Sequence, residues 1–291
     1  MLPAENSSHE PTTYVVDAEA ALEMARLLQQ DQLMTEHLGG LFPERSDMTG
    51  IERILDLACG PGGWALQCAH TYPEITVVGI DKSHRVIAYA QTQAFVHGTT
   101  NTHFQLMDIL TPLDFPDGSF DLINARLILG FMTPTAWPKL LQECRRLLRP
   151  GGILRLTEAE YGLANGRTFE RVSALFTTAL YKAGQSFSPD GRHIGITPML
   201  GRLLRQGGYQ EVNHLAAAIE FSVGTPAHES VYQNMMTLLQ LIPPFLLHWE
   251  VTTQEEFAAL SAQLLDEMRQ EDFCGVCYYL TAWGSVPLEK Q

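Results

Sequence analysis

Positive charge is scarce in this chain: 19 Lys and Arg stand against 33 Asp and Glu, a net charge of -14. Such a surface repels phosphate backbones and anionic bilayers, so neither nucleic acid nor a membrane is the expected partner. The local cluster Arg145, Arg146 and Arg149 reads as the polar face of a helix. Cysteines are few, odd in number and scattered at 59, 68, 144, 274 and 277, which excludes a disulfide framework. Cys274-x-x-Cys277 has the spacing of a redox pair or half a zinc site, but no second pair accompanies it. The following Tyr278-Tyr279-Leu280 reads as strand, where positions three apart face opposite sides. Buried structural thiols and no metal are therefore expected. Long apolar runs are missing too: Leu238 to Leu247 is interrupted by Gln240 and Pro243-Pro244 and is too short to span a bilayer. Met1 to Pro11 is polar and acidic, without the basic start and apolar centre of a signal peptide, so a cytoplasmic protein is expected.

What remains is ample core material, with 45% hydrophobic and only 18% charged residues over 291 positions. That suits one large domain with an elaboration. The chain is organised around residues 54–66, Ile-Leu-Asp-Leu-Ala-Cys-Gly-Pro-Gly-Gly-Trp-Ala-Leu. Ile54 to Leu57 reads as a buried strand broken only by Asp56, Gly60 to Gly63 as a turn with almost no side chains, and Trp64 as the start of a helix. A strand feeding a glycine turn and a helix is a nucleotide-cofactor cradle. Glycine permits close backbone approach, and the helix start offers free N–H groups.

Two chemistries use such a turn. Gly60, Gly62 and Ala65 fit the dinucleotide pattern Gly-x-Gly-x-x-Gly/Ala, with Asp81 further on. A pyrophosphate, however, is poorly served by Asp56 beside the loop, whereas S-adenosylmethionine carries an ammonium and a sulfonium. The stretch resembles motif I of the class I S-adenosylmethionine-dependent methyltransferases of small-molecule type. Phe120-Asp-Leu-Ile-Asn-Ala-Arg and Leu147-Leu-Arg-Pro-Gly-Gly-Ile-Leu resemble later motifs of that family, so the likeness covers residues 50–160.

Strand and helix patterns alternate through this region: Ile75 to Ile80, His103 to Met107, Phe120 to Asn124 and Ile153 to Thr157 as strands, Ser83 to His97 and Thr135 to Leu148 as helices. Asp81, Asp108, Asn124 and Glu158 recur at strand ends, where an open α/β sheet binds ligands. Asp81 can accept from both ribose hydroxyls, and Asp108 from the adenine amino group while the Ile109 N–H donates to a ring nitrogen. The resemblance implies a Rossmann-like, seven-stranded α/β methyltransferase sheet with helices on both faces. It also implies a cofactor, S-adenosyl-L-methionine, held by Asp56, Ala58, Gly60, Gly62, Asp81, Lys82, Asp108, Ile109, Asn124 and Ala125. The segment Asp17 to Leu38, with a break expected near Asp31, resembles the family's N-terminal helical lid, which would bring Tyr14 and Gln30, and less strongly Arg26, to the site.

The expected organisation is a tail and lid over 1–49, a cofactor domain over 50–225 and 272–291, and a helical insertion over 226–271. Tyr209 to Val223 and Phe273 to Trp283 read as the last two strands. Two helices, Ser230 to Ile242 and Thr253 to Gln270 capped by Thr252, fill the insertion. Its apolar Met235, Met236, Leu239, Ile242, Phe245 and Trp249 suit packing against the sheet, a roof over an acceptor, or a homodimer face. Methyl transfer needs a base only for some acceptors. Glu158 and His193 are the first candidates, then Glu160 and His248, with Arg126 a possible anchor for an acidic acceptor. The Asn/Asp-Pro-Pro-aromatic sequence common in methylation of base or glutamine nitrogen is replaced by Asn-Ala-Arg-Leu. With the acidic charge, that points to a small organic acceptor. A non-methylating enzyme of the same fold is the alternative. An NAD-dependent oxidoreductase is more remote, since no catalytic Tyr-x-x-x-Lys is recognisable.

Overall fold

A computed structural model describes residues 21–288. The helix α1 (Ala21–His37) precedes the alternating unit β1 (Arg53–Leu57), α2 (Gly63–Thr71), β2 (Thr76–Asp81), α3 (His84–Val96), β3 (Thr102–Leu106), β4 (Phe120–Arg126), α4 (Ala136–Leu147) and β5 (Leu148–Ala159). There follow β6 (Leu163–Ala164), α5 (Arg167–Lys182), α6 (Leu200–Gln206), β7 (Gln210–Glu220), α7 (His228–Leu241), α8 (Pro243–His248), α9 (Gln254–Glu267) and β8 (Gly275–Ser285). The sheet order is β3-β2-β1-β4-β5-β8, with β6 and β7 both paired to β8. Strands β1 to β5 run parallel, and β8 is antiparallel to β5 and β7. The expected seven strands are present; the two-residue β6 is an addition.

The parallel strands are apolar on both faces because helices cover both. Ile54, Val77 and Leu122 face a core shared with Trp64, Ala65 and Ile87. Their neighbours Leu55, Val78 and Ile123 face the opposite core, with Trp137, Leu140 and Leu204. This period of two fixes the polar strand residues as well: Asp56, Asn124 and Arg155 are register partners across β1, β4 and β5, on the face of Ile54 and Leu122. Gly62 shows what the glycine turn is for. Its φ is +84°, and a Cβ there would lie 2.6 Å from the Phe104 ring, so only glycine lets α2 start against β3.

Four expectations need correction. α1 is unbroken at Asp31. The Arg149-Pro150-Gly151-Gly152 stretch, expected as a helix stop and turn between Leu148 and Ile153, is a bulge within β5: the register moves from Phe120↔Leu148 to Leu122↔Ile153, with Gly151 at φ +78°. Cys274 is exposed just before β8, and Cys277 is half-buried, so the pair is not a buried one. The insertion holds three helices, and the cap of α9 is Thr253, whose hydroxyl accepts from the Glu256 N–H at 3.2 Å. Thr253→Ala is expected to lower stability by about 1 kcal/mol, read as a melting temperature lower by about 2–4 °C; an unchanged melting point would remove the cap's role. Of the insertion's apolar groups, Met235, Leu239 and Ile242 are buried, while Met236, Phe245 and Trp249 are half-buried. Among the described residues no helix is long and apolar enough to cross a membrane.

Candidate functional site

A cavity of about 350 Å³ opens at the C-terminal ends of β1, β2 and β4, beneath α1 and α7. Each of these helices contributes one face. Leu27, Gln30, Asp31 and Met34 on α1, and Val231, Asn234, Met235 and Leu238 on α7, follow the i, i+3, i+4, i+7 spacing of a single helical stripe. Two clips hold α1 in place. The Asp31 carboxylate pairs with Arg126 at the end of β4. Arg26 makes a bidentate ion pair with Glu23 (2.6 and 2.7 Å) and donates to Gln30 Oε1 and Asn234 Oδ1.

At the glycine-turn end the cavity is lined by Asp56, Ala58, Gly60, Asp81, Lys82 and Asp108, with Ile109 beside them. Asp81 Oδ2 accepts from the Gly60 N–H (3.1 Å) and Oδ1 from the Ser83 N–H (3.0 Å). A carboxylate has about four lone-pair sites, so both oxygens keep capacity toward the cavity. Burial pushes its carboxyl upward, against those N–H donors. Asp108 Oδ1 accepts from the Leu110 N–H at 2.9 Å, which turns the chain so that Ile109 also borders the space. Ala58 (φ +49°) and Leu127 (φ +53°), the first residues after β1 and β4, both lie in the left-handed region and both line the cavity. Non-glycine residues rarely adopt that conformation, and such strain gathers where a site needs a sharp turn.

Several expected residues lie elsewhere. Tyr14 falls outside the described residues. Gly62 does not line the cavity; its place is the helix–strand contact. Asn124 and Ala125 do not line it either. Ala125 is in the core on the α4 side. Asn124 is fully buried between its register partners: its Nδ2 donates to Asp56 Oδ1 (2.8 Å) and its Oδ1 accepts from Arg155 Nη1 (2.7 Å). Arg155 in turn donates from Nε to Glu44 Oε1 at 2.6 Å. This buried row ends at Asp56, whose carboxyl is pushed up to about 7 by burial, against the pull of Asn124 and Arg155.

The catalytic candidates also move. His193 and His248 are exposed and not in the cavity wall. Glu158 is fully buried outside the cavity, and its Oε1 accepts from the Ile128 N–H at 3.0 Å, bracing the turn that carries Leu129 and Phe131 into the wall. Burial pushes its carboxyl up to about 8, and Oε2 has no hydrogen-bond partner, as a protonated acid would suit. Such a group binds its proton more tightly folded than unfolded. Its contribution is therefore full below the unfolded pKa, near 4.5, and is lost as pH rises through about 8. Glu158→Gln is accordingly expected to raise the melting temperature at pH 8.5 and to leave it little changed at pH 5; equal effects at both would refute the assignment. Glu160 does face the cavity, but its carboxylate accepts from the N–H groups of Ile194, Gly195 and Thr197 and from the Thr197 hydroxyl.

Three residues missed by sequence reasoning, Tyr161, Phe176 and Tyr279, form the far end of the space with Met235, which the sequence offered for a roof over an acceptor. They come from β5's exit, α5, α7 and β8, and no local pattern links them. Arg155 carried a visible signal, a guanidinium inside the apolar strand Ile-Leu-Arg-Leu-Thr.

The parallel strands end at a turn-centred cavity, the ligand side of an open α/β sheet. Residues 54–152 match the family described as a methyltransferase domain. Similar proteins include a demethylmenaquinone methyltransferase of Thermus thermophilus, 36% identical over 127 residues (42% of this chain, 56% of that one). A trans-aconitate 2-methyltransferase of Deinococcus radiodurans is 31% identical over 164 residues (56% of this chain, 57% of that one). A probable methyltransferase of Aspergillus luteorubrus is 37% identical over 107 residues (35% and 38%). The chain thus spans between 38% and 57% of the length of these relatives. Among solved structures, the Haemonchus contortus phosphoethanolamine N-methyltransferase 2 in complex with S-adenosyl-L-methionine superposes with a TM-score of 0.55 at 16% identity, covering 92% of this chain and 57% of that one. The likeness is one of fold.

Proposed function

We propose that this protein is an S-adenosylmethionine-dependent methyltransferase acting on a small organic acceptor. The observation that carries this is one continuous cavity, joining a turn-and-carboxylate end to a largely apolar end under a helical roof. The residues present suit the cofactor. Asp81 would take the ribose hydroxyls, and Asp108 with the Ile109 N–H the adenine edge. Ala58 and Gly60 would meet its amino-acid end with backbone, near Asp56, and Gln30 would close on it from α1. Bound there, S-adenosylmethionine supplies an activated methyl group beside the apolar end. A pyrophosphate would instead meet Asp56 and Asp81, two carboxylates with no basic partner in the turn.

The chain's own work is then alignment and exclusion of water. α1 and α7 cover the space, tied by Arg26 to Asn234, while Arg126 anchors α1 to the sheet through Asp31. Glu158 and Glu160 serve as braces, Glu158 for the turn after β4 and Glu160 for residues 194–197. The insertion over 226–271 supplies the roof of the acceptor end through α7. The test is parallel calorimetric titration with S-adenosylhomocysteine, S-adenosylmethionine and NADH, followed by methyl-label transfer to candidate acceptors. Micromolar binding of the first two supports the proposal, and binding of NADH alone would overturn it.

A further inference from the structure

The far end of the cavity differs in character from the turn end. Its wall is built from Tyr161, Phe176, Val231, Met235, Leu238 and Tyr279. Phe176 stacks obliquely on Tyr161, with ring centroids 5.5 Å apart. The charges that border this end are matched to one another. The Glu23 carboxylate is fully buried and held by both arms of Arg26. Asp31 is held by Arg126. Glu160 is occupied by three backbone N–H groups and the Thr197 hydroxyl. A charged ligand entering here would lose its hydration and find its natural counter-ions already engaged.

The polar handle is a phenol. The Tyr161 hydroxyl donates to the Met235 sulfur at 3.9 Å, and a thioether is a weak acceptor that a ligand oxygen would displace. Burial holds this phenol well above its usual range, so it stays a neutral donor. Cys277, also in the wall, is pushed up to about 12 by burial and stays a thiol.

Resting on the methyltransferase reading, we propose that the acceptor is an uncharged, largely apolar molecule, aromatic or polyunsaturated, carrying a neutral oxygen that accepts from the Tyr161 hydroxyl. The wall fits flat π-surfaces: three aromatic rings and a flexible methionine adapt to a planar guest. Anionic and zwitterionic acceptors are disfavoured by the same wall.

The full chain, saturated with S-adenosylhomocysteine, is titrated calorimetrically with 2-naphthol, 2-methoxynaphthalene, trans-aconitate and phosphoethanolamine. The neutral aromatic probes are expected to bind at least tenfold more tightly than the tricarboxylate and the zwitterion. Tyr161→Phe should weaken 2-naphthol by about fivefold to tenfold with no change for S-adenosylhomocysteine. Leu238→Lys, which sets an ammonium in the wall, should weaken both neutral probes at least tenfold. Tighter binding of trans-aconitate or phosphoethanolamine, or no heat from either neutral probe up to millimolar concentration, overturns the inference. Should S-adenosylhomocysteine itself fail to bind while the neutral probes still do, the cofactor reading falls and the acceptor preference stands.

Discussion

Asp81→Ala is expected to weaken S-adenosylhomocysteine binding by at least about 100-fold. The substitution would remove hydrogen bonds between a carboxylate and two ribose hydroxyls, and bonds to charged groups contribute about 1.5–3 kcal/mol each. Two of them correspond to about 3 kcal/mol or more, hence the two decades in affinity. The carboxylate also accepts from the Gly60 and Ser83 N–H groups, so some stability is lost together with affinity. Asp81→Asn separates the two effects, since the amide oxygen keeps one acceptor while the ribose loses its bidentate partner. Calorimetry at a temperature where both variants remain folded is the measurement. An affinity within twofold of the parent would show that Asp81 does not hold the cofactor.

The second large effect is expected from Arg155→Met. Arg155 is 3% exposed and its partner Glu44 sits beside it at 5% by side chain, so the variant strands a buried carboxylate and an unpaired Asn124 carbonyl. Breaking a buried pair from one side costs about 3–5 kcal/mol. Denaturant unfolding reads this directly, and a loss below about 1 kcal/mol would mean that Arg155 is not the centre of the row. The double variant with Glu44→Gln should recover much of the loss, because no buried charge is then left alone. A binding effect accompanies the stability effect. Asp56 is faced by Asn124 and Arg155 in the row, by Asp81 on β2, by Cys59 in the turn and by Cys68 on α2. Its carboxyl stands at about 7 with Arg155 present. Without that guanidinium it rises further, so Asp56 is neutral at physiological pH and offers less to the cofactor's ammonium. The pH midpoint of S-adenosylmethionine affinity should therefore move upward in the variant, with recovery at alkaline pH.

The parts of this molecule that were legible in sequence are those written in consecutive residues. The stretch from Ile54 to Leu66 carries strand, turn and helix in one reading, and Asp81 and Asp108 follow strands whose ends are clear. Asn124 illustrates the limit. Its position near a strand end suggested a ligand contact, but β4 continues to Arg126, and register sets Asn124 between Asp56 and Arg155. A strand residue's face depends on where its neighbours pair, and one strand's sequence does not contain that. His193 and His248 failed for a related reason: a polar residue in a loop or short helix says nothing about the direction in which the backbone turns it. The acceptor end was the least legible. Tyr161 and Tyr279 reach it from β5's exit and from β8, which meet only through long-range pairing.

That pairing bears on how the chain is made. β8 lies between β5 and β7, and among the described residues β7 joins the sheet only through it. During synthesis, β7 emerges before its partner exists, and β5 presents an open edge until residues 275–285 leave the ribosome. An unpaired apolar edge is a template for mispairing with another chain. Strand pairing across such sequence separations is also intrinsically slow. The last strand thus acts as the keystone of biogenesis: nascent chains stalled before Gly275 are the species most prone to aggregate, and the most dependent on chaperones.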